Sequence, residues 1–327
     1  MSQADFRIIT EATAQRIAEA LEALNPGSAG SVKAGTMGPA AYLNNGLILE
    51  ATQALAGLMS ASDKSKLDAA EALVFTAGKA LTQNAGFHNS LFRGKSLGTS
   101  VTAAQWAAIG AGTFDDLFIG DYWTINGIVW RIAAFDYWYN CGDTACTTHH
   151  VVIVPDANLV ASDGSTTHWM NATNTTEGAY VGSDFYTGNN GNTGKSQCTT
   201  KINSAFGAGH ILTHREYLQN AVKDGYGSAC AWYDSTLECM NEQMVYGGKV
   251  FGDIMHGTNI PASYTIGKSQ LPLFALAPSF ICNRAYWWLR DVVSATNFAR
   301  VDNLGDCDYG GASSAWVGLR PAFGIRA

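Results

Sequence analysis

Tyr286-Trp-Trp-Leu-Arg290 opens and Gly318-Leu-Arg-Pro-Ala-Phe-Gly-Ile-Arg-Ala327 closes the final stretch of this 327-residue chain. Trp287, Trp288, Leu289 and Phe323 carry large apolar area, and burying one such side chain stabilises by roughly 1.5 to 3 kcal/mol, so their accumulation predicts strands pinned into a core. Between these ends the pattern dissolves. Asn297 to Val317 reads Asn-Phe-Ala-Arg-Val-Asp-Asn-Leu-Gly-Asp-Cys-Asp-Tyr-Gly-Gly-Ala-Ser-Ser-Ala-Trp-Val, without a sustained strand or helix period, and its Gly, Asp, Asn and Ser favour turns and exposed backbone. The expectation is a rigid frame holding an adaptable surface.

Upstream, Phe118-Ile-Gly-Asp-Tyr-Trp-Thr-Ile-Asn-Gly-Ile-Val-Trp-Arg-Ile-Ala-Ala-Phe135 has β-branched and aromatic runs split at Asn126-Gly127, a two-residue hairpin signal. His149 to Val154 and Tyr264 to Ile266 offer further strands, whereas Lys201 to Phe206, His214 to Val222 and Leu237 to Met244 are helical candidates. Short strands and helices among long Gly/Asn/Thr-rich loops, such as Asn171 to Ser196, suit an α+β domain. The texture changes near residue 85. Before it, Phe6, Ile9, Ala14, Ile17, Leu21 and Leu24 share one face of a helix ended by Asn25-Pro26-Gly27. Leu47 to Met59 repeats an apolar helical pattern, and Ser60 with Asp63 fits an N-cap.

Composition excludes several classes. With 47% hydrophobic and 14% charged residues the chain is folded and long enough for two domains. A formal charge of −7 with no Lys/Arg run argues against nucleic acid or an anionic membrane as partner. No apolar run reaches a membrane span and no secretory leader is legible, so an extracellular role implies another export route, such as a virion released by lysis. Seven cysteines are few for a disulfide scaffold. Cys141 with Cys146, and Cys230 with Cys239, are close enough for hairpin-closing bridges; reduced thiols are the favoured alternative.

Tyr286-Trp-Trp-Leu-Arg-Asp291, Ala312-Ser313 and Gly318-Leu-Arg-Pro-Ala-Phe323 resemble the variable proteins of diversity-generating retroelements. That resemblance implies a C-type-lectin-like (formylglycine-generating-enzyme-like) domain over 86–327 with a variable segment at about 290–317. Such retroelements mutate template adenines, and an Asn codon of the AAY type cannot thereby become Lys, Glu, Gln, Met or Trp. Lys, Glu, Gln and Met total 35 in the chain, so about four are expected among the 38 residues from Arg290 onward; none occurs. Trp316, unreachable in this way, is assigned to the frame with Trp287, Trp288, Arg320 and Phe323. The ligand-contacting candidates are Asn297, Arg300, Asp302, Asn303, Leu304, Asp306, Cys307, Asp308 and Tyr309, with Ser313, Ser314 and Val317 at the margin. Tyr309 offers contact area at low entropy cost and Arg300 a planar fork for carboxylates or phosphates.

Gly57-Leu-Met-Ser-Ala-Ser-Asp-Lys-Ser-Lys-Leu-Asp68 resembles a motif of phage tail fibres and other trimeric virion appendages. The implied protein has a helical, trimerising stalk over 1–85 that attaches to other virion tail proteins. Its receptor-binding domain meets a bacterial surface protein or glycan. A bacterial surface adhesin is the rival within binding proteins. An enzyme of the formylglycine-generating type is the rival from another class, with Cys282 and Cys307 its C-terminal candidates; Cys307 lies inside the assorted segment, a poor place for a nucleophile.

Catalytic and metal readings find little else. Gly94-Lys-Ser96 looks like the end of a phosphate loop, but Asn89 stands where that loop needs Gly. His149 and His150 are adjacent on an expected strand and so point to opposite faces. His210 and His214 have helical ligand spacing without the Glu of a zinc protease motif. Asp302, Asp306 and Asp308 lack the spacing of an EF-hand loop. No metal, cofactor or catalytic residue is assigned.

Overall fold

The computed structural model describes residues 43–44, 47–48, 66, 84–160, 168–252, 260–264 and 269–327. The chain divides into two units, Met1–Gly78 and Lys79–Ala327. In the first, β1 (Leu43–Asn44) pairs antiparallel with β2 (Leu47–Ile48), so the helix expected from Leu47 does not begin there; Lys66 is helical. The amphipathic helix expected over 5–24, the Ser60 cap and the remainder of the 57–68 motif lie outside the described residues.

The second unit is α+β, and its named strands pair antiparallel throughout. Its main sheet begins with the hairpin expected at Asn126-Gly127. β3 (Tyr122–Ile125) meets β4 (Ile128–Phe135) across a two-residue turn in which Asn126 has φ 53° and Gly127 φ 75°. Two successive positive φ values match the right-handed twist of the flanking strands, which is why Asn-Gly is favoured there. Trp123 faces Trp130 across the pair, and both are fully buried. β5 (Val151–Pro155), an unbroken buried apolar run, lies beside β4. The sheet order continues through β14 (Pro321–Ile325) to β10 (Leu237–Cys239), giving β10-β14-β5-β4-β3. Pro321 takes the first position of β14, where the missing N–H costs least.

Helix α1 (Ala85–His88) is capped by Asn84, and α2 (Ala103–Ala111) opens with a capping box between Thr102 and Gln105. The short α3 (Asp184–Thr187) is capped by Ser183. Helix α4 (Gly194–Phe206) extends the helix expected at 201–206 and buries Cys198, Ile202 and Phe206 at four-residue spacing. Phe206 packs edge-on against Trp130, ring centres 5.4 Å apart, and 5.7 Å from Phe323, joining α4 to the main sheet.

Two helical expectations are corrected. His214 to Val222 forms β6 (His214–Leu218), paired with β9 (Ala231–Ser235), followed by β7 (Ala221–Lys223), paired with β8 (Tyr226–Ser228). The reason is alternation: His214, Glu216 and Leu218 are buried while Arg215 and Tyr217 are not. Leu237 to Met244 splits into β10 and helix α5 (Glu242–Tyr246), because the Asn241 side chain accepts from Met244 N–H and starts the helix only there. Tyr264 is not in a strand, and 265–268 lie outside the described residues. The bridging alternative for the cysteines is also corrected, since no disulfide joins any of the seven. Cys141 Sγ donates to the Ser263 carbonyl at 2.6 Å, and Cys146 Sγ sits 3.7 Å from the Thr148 carbonyl.

The C-terminal stretch builds a second sheet, β11 (Trp287–Val292), β12 (Asn297–Val301) and β13 (Cys307–Gly311). Every residue of β11 is buried. Arg290 is satisfied inside by Glu216 at 3.2 Å and the Tyr264 hydroxyl at 3.1 Å. Glu216 also accepts from Trp138 Nε1 at 3.0 Å, so one buried charge pair joins three parts of the chain. Arg320, 1% exposed, donates to the carbonyls of Pro155, Phe280 and Ile281 and lies over Trp287. Burial pulls its guanidinium down to about 10. Helix α6 (Pro272–Leu276) buries Leu273 and Phe274.

Candidate recognition surface

β12 and β13 form a hairpin with five facing pairs, from Asn297 opposite Gly311 to Val301 opposite Cys307. Its turn is made by Asp302, whose Oδ1 accepts from Leu304 N–H at 2.8 Å and Asp306 N–H at 2.9 Å. Aspartate side chains bonding backbone a few residues on stabilise such turns. Gly305 adopts φ 95° against Cys282, where a Cβ would come within 2.9 Å of the Cys282 Cβ. The hairpin is rooted in a fully buried base of Trp287, Trp288, Phe298, Ala299 and Val301.

Most of the assorted residues reach the surface of this hairpin. Leu304 is 62% and Tyr309 44% exposed; Asp306 and Ser313 are also exposed. Asn297, Arg300, Asp302, Asn303, Cys307, Asp308 and Ser314 are half-buried. Arg300 faces Asp308 across the strands and its Nη2 donates to Asp308 Oδ2 at 2.7 Å. The same guanidinium lies 4.5 Å from the centre of the Trp316 ring and 4.9 Å from that of Tyr286. Tyr286 and Trp316 meet edge to face at 4.9 Å. Arg300 is thus held as a fixed, aromatic-backed cation beside an acceptor rather than as a swinging arm.

Two assignments change. Val317 is fully buried, so it belongs to the core. Trp316, assigned to the frame, is 47% exposed and forms part of the surface. Trp287, Trp288, Arg320 and Phe323 are buried. Cys307 has a limited role in any chemistry: its Sγ points to Glu242 Oε1 at 3.5 Å, and burial beside that carboxylate pushes the thiol up, away from thiolate. Cys282 Sγ sits 3.5 Å from the Asn303 carbonyl.

The histidines singled out in the sequence are engaged elsewhere. His149 Nδ1 is 2.7 Å from Asp136 Oδ2, and buried His150 accepts from Trp138 N–H at 3.1 Å. His210 stacks on Trp106 at 4.1 Å, while His214 bonds Glu216 at 3.0 Å. Among the described residues no group of three or more His, Cys, Asp or Glu is arranged to hold a metal ion.

Sequence reasoning missed one neighbour of the hairpin, the segment after α5. Glu242, fully buried, accepts from the N–H groups of Val250 at 2.5 Å, Phe251 at 3.1 Å and Gly252 at 3.1 Å. Phe251, 41% exposed, meets Tyr309 edge-on at 5.3 Å. The only signal was Gly247-Gly248-Lys-Val-Phe-Gly252, two apolar residues inside a glycine-rich turn. Beneath the segment Asp291 accepts from Glu242 N–H at 2.6 Å. Burial and the neighbouring Glu242 carboxylate push Asp291 up to about 7. Compared with protein-family models, curated proteins and solved structures, the chain gives no match. Among the described residues no helix is long and apolar enough to cross a membrane.

Proposed function

We propose that this chain is a phage or prophage tail-tip receptor-binding protein whose second unit is a C-type-lectin-like domain with a diversified surface. One observation carries the reading. The residues that break the apolar pattern, Arg300, Leu304, Asp306, Asp308 and Tyr309, gather on a single hairpin while its base is fully buried. Such a surface tolerates change in its side chains at little cost to the fold, because surface substitutions away from caps and cores shift stability within about 0.5 kcal/mol. The partner is a protein or glycan on a bacterial cell, and the first unit forms a homotrimeric stalk joined to other tail proteins. Three copies raise a weak single-site affinity through effective concentration.

The test is simultaneous substitution of Leu304, Asp306 and Tyr309 by Ser in the full chain, followed by adsorption to intact cells of the bacterium in which the gene resides or propagates. Adsorption is expected to vanish with thermal stability kept. Adsorption that persists, or that the parent chain never shows, overturns the reading.

A further inference from the structure

Of the eight large apolar side chains exposed among the described residues, Val250, Phe251, Leu304, Tyr309 and Trp316 belong to the hairpin, its flank or the segment Gly248 to Gly252. Exposed apolar area of this kind marks interaction sites, and within it Phe251 and Tyr309 are in direct contact. The segment and helix α5 before it are tied to the hairpin at three points. The Tyr246 hydroxyl donates to the Gly305 carbonyl in the turn at 3.1 Å, Cys307 Sγ points to Glu242, and Phe251 packs on Tyr309.

Both ends of the segment sit at glycines where a side chain would be strained or would clash. Gly247 ends α5 with φ 78°, in the left-handed region. A Cβ on Gly252 would lie 2.5 Å from the Asp291 Cβ. Between them Glu242 draws three consecutive N–H groups inward, which turns Val250, 52% exposed, and Phe251 outward. Charge-assisted bonds to a buried carboxylate are among the stronger ones in proteins. Unlike the hairpin's facing side chains, this wall is set by the core beneath it.

The charge around this wall has a sign. Asp302 and the exposed Asp306 flank the hairpin turn, Arg300 and Asp308 neutralise each other, and against the two free-standing carboxylates the segment sets one exposed cation, Lys249, so the border is net negative. An apolar ledge with a negative border complements an apolar side chain carrying cationic neighbours.

We propose that Gly248–Gly252 is a fixed second wall of the recognition surface, and that Val250, Phe251 and Tyr309 together seat an apolar side chain flanked by Lys or Arg on a partner protein. The proposal rests on the hairpin being a recognition surface. Saturation-transfer difference NMR on the full chain, at low ionic strength, tests it with acetyl-Lys-Trp-Lys-amide and acetyl-Glu-Trp-Glu-amide as probes. The basic peptide is expected to bind tighter by ~3-fold or more, the scale of exposed charge pairs. Phe251→Ser is expected to remove its indole signal while hydrogen exchange at 250–252 stays slow, and Leu276→Ser, at an exposed residue of α6, to leave the signal intact. Equal binding of the two peptides, binding of neither, or a signal indifferent to Phe251→Ser overturns the proposal. If Tyr309→Ser removes the signal and Phe251→Ser does not, the wall is dismissed and the hairpin reading stands. If cell adsorption survives the triple hairpin substitution, the hairpin reading itself falls.

Discussion

Glu242 and Asp291 show how much one buried position can govern. Glu242→Ala strips three backbone N–H groups of their acceptor, and a buried donor left unsatisfied costs about 1 to 3 kcal/mol. Denaturant titration of the variant is expected to show a loss of that order, together with fast hydrogen exchange at 250–252. Asp291 makes a distinct prediction about pH. Burial and the adjacent Glu242 push its carboxyl up to about 7 in the folded protein. The folded chain therefore keeps a proton that the unfolded chain releases from about pH 4 upward. Through this group stability falls as pH rises from about 4 to about 7 and is flat above it. Asp291→Asn should flatten that limb, and parallel slopes for parent and variant between those values would refute the assignment. The Asn oxygen can still accept from Glu242 N–H, so the geometry survives the change.

At the scale of elements, the β12–β13 hairpin separates residues that face outward from residues that hold it. Asp302→Ala removes two turn hydrogen bonds and is expected to cost about 1 kcal/mol per bond in thermal unfolding. Val317→Asp places an unpaired carboxyl in the core and is expected to prevent folding, seen as loss of the near-ultraviolet circular dichroism of the buried tryptophans. What was legible in advance follows the same division. Asn126-Gly127 announced its turn because two positive φ values leave few residues to choose from. The aromatic run at 287–289 announced a buried strand for want of any other place for that much apolar surface. His214 to Val222 did not announce itself, because a strand of five residues lined by a histidine and a glutamate buries them through a partner, Arg290, seventy-four residues away from Glu216. The Gly248 to Gly252 wall was equally silent. Its conformation is dictated by Glu242, and nothing in a Gly-Gly-Lys-Val-Phe-Gly string states which carboxylate its amides will meet.

For the molecule as a whole, the proposed stalk predicts three chains per particle. Sedimentation equilibrium of the full chain is expected to give about three times its 34.8 kDa mass, and a monomer at micromolar concentration would remove the avidity argument. Chain order gives the main sheet a further property. β14 lies between β10 and β5, hydrogen-bonded on both sides, yet it is translated after every residue of the hairpin. A stop codon or a slipped reading frame anywhere from Asn297 to Val317 deletes the strand at the sheet's interior, leaving two open edges. Exposed residues of the window, such as Leu304, Asp306 and Tyr309, tolerate substitution, whereas a truncated or frame-shifted copy yields a polypeptide that fails to fold and is handed to proteolysis. The architecture acts as a proofreader of its own message.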